Sequence, residues 1–72
     1  MHNIFYINKN AQPTGEYEIH KFGCRYLPSE ENRVFLGYFD SFEDAKQAAI
    51  KAGFNNVDGC AFCSPEGHRR WY

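Results

Sequence analysis

Long apolar runs are missing from this 72-residue chain, and so are internal repeats and low-complexity tracts. Nothing approaches membrane-spanning length, and the opening MHNIFYINKN lacks a basic region followed by a sustained hydrophobic stretch. Neither a transmembrane helix nor a secretory leader is expected, and the expected compartment is the cytoplasm. An excess of one charge is missing too: eight basic and nine acidic residues leave a net charge of -1. That balance argues against a strong global field for nucleic acid or for an anionic membrane. Cysteine is scarce and odd in number, so the three thiols cannot all pair within one chain. In a reducing compartment a CxxC is more often a metal knuckle or a redox pair than a structural bridge.

What the chain does have is aromatic area. The aromatic content is 18%, with Phe5, Phe22, Phe35, Phe39, Phe42, Phe54 and Phe62 among the contributors, enough for a small core and against disorder. A domain of this size still has a poor surface-to-volume ratio, and such domains often recruit a disulfide, a metal or a partner chain. Residues 1–66 read as one such domain and residues 67–72 as a C-terminal tail.

Proline and glycine divide the chain into four pieces. Asn3 to Asn8 alternates loosely, with Ile4 and Tyr6 on one face and Phe5 and Ile7 on the other, as a strand does. The segment from Asn10 to Gly15, with Pro13, is a turn, and Glu16 to Phe22 alternates again, with Tyr17 and Ile19 opposite Glu16, Glu18 and His20. The two strands are expected to form an antiparallel hairpin. Beyond the polar loop from Pro28 to Asn32, β character resumes from Arg33 to Phe39, and Gly37 within it suggests a bulge or a close backbone approach. A helix follows: Ser41 as N-cap, Glu43 and Asp44 in the first turn, and Gly53 as the stop. Its apolar stripe is Phe42, Ala45, Ala49 and Ala52. The expected fold is α+β, a three-stranded antiparallel sheet with one packed helix and a zinc knuckle.

The chemistry sits in two short pairs far apart in sequence, His20 with Cys24 and Cys60 with Cys63. Together they supply a Cys3His set, the donor types and number that a tetrahedral Zn2+ takes. Both pairs carry residues that bend the backbone: Gly23 lies between His20 and Cys24, Gly59 precedes Cys60, and Ser64 and Pro65 follow Cys63. A lone CxxC is a weak signal, but here every cysteine is used. His68 is an alternative to His20, with His2 more remote, and one tetrahedral ion leaves no room for a fifth donor. The rival readings are an ordinary buried Cys24, a surface His20, and a CxxC that cycles between dithiol and disulfide. A redox site of the thioredoxin kind needs a helix starting at the knuckle, whereas the sequence after Cys60 runs into proline and glycine.

The run HKFGCRYL, the helix SFEDAKQAAIKAGF and then CAFCSP, together covering His20 to Pro65, resemble the small zinc-binding domain at the N-terminus of the Ada DNA-repair protein and its relatives. The resemblance implies a zinc-bound α+β module. In the Ada domain all four ligands are cysteines and the first accepts a methyl group, whereas the matching position here is His20. Imidazole is a poor alkyl acceptor, so the resemblance does not carry that activity over.

A catalytic zinc keeps a position open for water, whereas Cys3His fills all four positions with protein. No HxE accompanies the CxxC, and so short a chain has little room for a small-molecule substrate. A non-enzymatic module is therefore expected, one that presents a surface to DNA or RNA or to another protein. Candidate nucleic-acid contacts are Lys21 and Arg25, which flank the proposed ligands, and Arg69, Arg70 and Trp71 in the tail.

Overall fold

In a computed structural model the structure describes residues 3–65. Four strands and one helix follow in the order β1 (Asn3–Asn8), β2 (Tyr17–Lys21), β3 (Arg33–Phe39), α1 (Phe42–Lys51) and β4 (Val57–Gly59), with a 3-10 turn at Glu30–Asn32 leading into β3. The sheet has the strand order β3-β1-β2-β4. β1 and β2 form the expected antiparallel hairpin, with Phe5, Tyr6 and Ile7 opposite Lys21, His20 and Ile19. β3 lies antiparallel to β1 on the other side.

The expectation of three antiparallel strands needs correcting. β4 adds a fourth strand, parallel to β2, with Tyr17, Glu18 and Ile19 beside Val57, Asp58 and Gly59. Parallel neighbours need a long crossover, and here β3 and α1 supply it: the chain leaves one sheet edge, passes through the helix and returns as β4 at the opposite edge. A strand of three residues has no periodicity to read, so its partner is decided by that crossover.

The helix forms where its caps require. The Ser41 side chain accepts from the Asp44 amide at 3.3 Å. At the other end Gly53 has φ +104, its amide donates to the Ile50 carbonyl and the Phe54 amide donates to the Ala49 carbonyl. This is a Schellman closure, which glycine permits at no steric cost. The small faces of Ala45 and Ala49 and the ring of Phe42 lie against Phe5, Ile7, Ile19 and Val57, all buried, with Tyr17, Val34, Leu36, Phe39 and Phe54 packed around them. Ala52, placed on the apolar stripe by sequence, is the exposed C-cap.

Not every phenylalanine enters the core. Phe22, Phe35 and Phe62 are exposed, and β3 shows why. Its pairing with β1 slips between Phe5 and Tyr6, which face Gly37 and Phe35, so Leu36 is the extra residue of a bulge. The slip changes the phase of the alternation. Val34, Leu36 and Phe39 pack on the core, and Phe35 and Tyr38 are left on the other face. Gly37 has φ +142, and a Cβ there would lie 2.9 Å from the Phe39 ring. Gly37→Ala therefore loads both a disfavoured backbone and a clash with a ring packed on the core. Loss of about 1–3 kcal/mol of stability is expected, to be read as a lowered denaturant midpoint at unchanged slope.

Candidate metal centre

β2 delivers His20 to the sheet face opposite the helix, one residue out of phase with the core-facing Ile19. The chain then turns sharply. Gly23, at φ +89, has open space around it, so its left-handed backbone is what requires glycine there. The Cys24 amide donates to the Lys21 carbonyl at 3.1 Å and the Leu27 amide to the Cys24 carbonyl at 3.0 Å, folding Cys24 back beneath β2. The second pair arrives from the parallel strand. The Cys60 amide donates to the Ile19 carbonyl at 3.0 Å, which extends the β2–β4 pairing and sets Cys60 beside His20. The Ser64 amide then donates to the Cys60 carbonyl at 2.8 Å, closing the loop that brings Cys63 round.

The result is a compact cluster. His20, Cys24, Cys60 and Cys63 offer one ligand atom each, and these atoms all lie within 4.8 Å of one another. Cys24 Sγ is 3.7 Å from Cys60 Sγ, and Cys63 Sγ is 3.9 Å from His20 Nδ1. All three cysteines are free thiols, and sulfurs at this separation are far beyond the bond length of a disulfide. His20 and Cys60 are buried and the other two half-buried. These four residues can hold a metal ion.

The surroundings favour the ligand forms of some members and oppose others. Glu18, on the same face of β2, accepts from His20 Nε2 at 3.2 Å. That holds a proton on Nε2 and turns Nδ1 toward the sulfurs, where it donates when the ring is protonated and offers its lone pair when the ring is neutral. Desolvation pulls His20 down, but the Glu18 carboxylate and Cys24 outweigh it and its pKa is raised. Burial raises Cys24, yet hydrogen bonds from the Tyr26 amide, His20 and the neighbouring thiols bring it from 9.0 down to about 7. Burial pushes Cys60 up. Burial also pushes Cys63 up to about 12, together with its two sulfur neighbours and despite the Lys21 amide, which donates to Cys63 Sγ at 3.3 Å. One thiolate forms readily here, but three this close repel one another unless a cation sits among them.

The other named residues fare differently. Arg25 is exposed with its guanidinium 5.6 Å from the centre of the Tyr26 ring, and Lys21 is half-buried. Arg69, Arg70, Trp71, His68 and His2 lie outside the described residues. Glu18 is the functional candidate that sequence reading passed over. Its position two before His20 on one strand face was the available signal, since alternation alone places both side chains on that face. No family model, no curated protein and no solved structure matches this chain. Removing the Nε2 acceptor by Glu18→Ala should weaken metal affinity by about 10–100-fold while the fold persists, measured by competition with a chromogenic chelator.

Proposed function

We propose that this chain is a structural-zinc domain, non-enzymatic, whose role is to present a binding surface to nucleic acid or to another protein. The observation that carries the metal half of this reading is the spacing of the four donor atoms. With Zn–S near 2.3 Å and Zn–N near 2.0–2.1 Å, the edges of a ligand tetrahedron are about 3.5–3.8 Å. The Cys24–Cys60 sulfur separation of 3.7 Å falls on that edge length, the Cys63–His20 separation of 3.9 Å slightly above it, and all four atoms lie within 4.8 Å of one another, close enough for an ion to draw them in. Thiolate and imidazole donors select zinc among the common divalent ions over the oxygen-seeking magnesium and calcium.

A cation here also has structural work to do. His20 and Cys24 come from the end of β2 and the turn after it, Cys60 and Cys63 from beyond the helix, so one ion ties the segments before and after the crossover together. Four protein donors leave no position for water or substrate, which supports a structural over a catalytic role. A disulfide between Cys60 and Cys63 would leave the convergence of His20 and Cys24 on the same point without a purpose. The Ada-like resemblance fits a module of this kind, with His20 at the position where an alkyl-accepting thiolate would be needed.

Elemental analysis of protein prepared without a histidine tag should find one zinc per chain, and Cys63→Ser should lose both the metal and the folded far-UV signal. Folded, metal-free wild-type protein whose stability is indifferent to chelator would overturn the reading. Because Cys60 is raised and Cys63 is pushed up to about 12, both are protonated in metal-free protein at neutral pH. Zinc must displace those two protons and, near neutrality, part of those on Cys24, at about 7, and on His20, which is raised, so affinity should rise with pH by at least on the order of 100-fold per unit. Titration calorimetry in buffers of different ionisation enthalpy counts the protons directly.

A further inference from the structure

The helix covers one face of the sheet, and the opposite face carries an aromatic ladder that contributes nothing to the core. Tyr6 on β1 meets Phe35 on β3 edge to face at 5.8 Å between centroids, and Phe35 meets Tyr38 in the same manner at 5.6 Å. Phe35 is 52% and Tyr38 63% exposed. The bulge at Leu36 is what puts both of them on this face. The guanidinium of Arg33 lies 4.6 Å from the centre of the Tyr6 ring, and its Nη1 donates to the Pro28 carbonyl at 3.0 Å. His20, opposite Tyr6 in the hairpin, joins this face to the metal cluster.

We propose that this face binds single-stranded nucleic acid, with bases stacking on Phe35 and Tyr38 beside Tyr6 and the backbone passing the Arg33 guanidinium. The proposal deepens the interaction role given above and rests on it. Two observations select this occupant. Edge-to-face rings leave π-faces open at angles to one another, which accept planar bases, whereas a flat apolar wall would suit another sheet. The charge stacked on the ladder is a guanidinium, complementary to phosphate. Glu30, itself exposed, is 4.0 Å from Arg33 at the rim, and Glu18 is engaged with His20. A single strand is favoured over a duplex because paired bases hide their faces, and a chain of net charge -1 lacks the field that duplex binding draws on.

The test is fluorescence anisotropy with labelled dodecamers of oligo(dT) and oligo(U), using full-length protein at about 50 mM salt, where few phosphate contacts suffice. Binding is expected, with the Phe35→Ala/Tyr38→Ala double variant weakened by at least about tenfold. Phe35→Leu/Tyr38→Leu should be similarly weakened, since it keeps apolar bulk but removes the rings. Lys51→Ala on the helix should bind like wild type. If the alanine variant fails to fold, the leucine variant decides the matter. No binding to either oligonucleotide, or binding that neither double variant changes, would overturn the proposal. So would self-association in sedimentation that the double variants abolish, which would give the face to a second copy of the chain. The two readings fail separately. Zinc-free protein that still binds oligonucleotide through Phe35 and Tyr38 would overturn the metal reading and support this one, whereas one zinc per chain without oligonucleotide binding would do the reverse.

Discussion

Three sulfur atoms and an imidazole nitrogen held within 4.8 Å of one another form an arrangement that electrostatics does not tolerate in its ligand state without a positive charge at the centre. The rest of the chain is built around that convergence. Its two pairs of contributors lie on either side of the helix, with Cys24 and Cys60 separated by 36 positions, so the cluster exists only if the hairpin, the crossover helix and the last strand are all in place. With the ion proposed here, the same convergence becomes a cross-link that small size otherwise denies this domain.

The sheet distributes its two faces unequally. One face receives the helix through Ala45 and Ala49, residues small enough to let the helix lie close, and the buried cluster is built from few large side chains. The other face holds the cluster of His20 with the three cysteines beside β2 and the aromatic ladder across β1 and β3. A single bulge links the two arrangements, because it sends Phe39 to the core and Tyr38 away from it. Structure and proposed function thus meet at Gly37, whose missing side chain lets the Phe39 ring pack over the backbone. Among the described residues no helix is long and apolar enough to cross a membrane.

Much of this was legible in the residues. β1 and β3 have the bounds that alternation indicated, and the helix starts at the cap Ser41 and ends before the glycine that its composition marked. The pairing of His20 and Cys24 with Cys60 and Cys63 could be read from spacing alone, since bend residues accompany each pair. Three features could not. β4 is too short to show a period, Glu18 looked like one more solvated carboxylate, and Phe22, Phe35 and Phe62 looked like core because residue type says nothing about which face a bulged strand or a loop will give them. Glu16, assigned by alternation to the polar face, is buried and accepts from the Thr14 hydroxyl.

Local chemistry therefore determined the elements: caps, glycine stops and alternating side chains act over a few residues and are written in order along the chain. It also determined the donor set, because which atoms can bind a soft divalent ion depends on residue type. The tertiary structure decided where the edge strand pairs, that Cys60 lands beside His20, and that two large rings of β3 point away from the core. Those outcomes depend on contacts between residues far apart in sequence, where the balance of burial and backbone pairing is settled only once the whole sheet has closed.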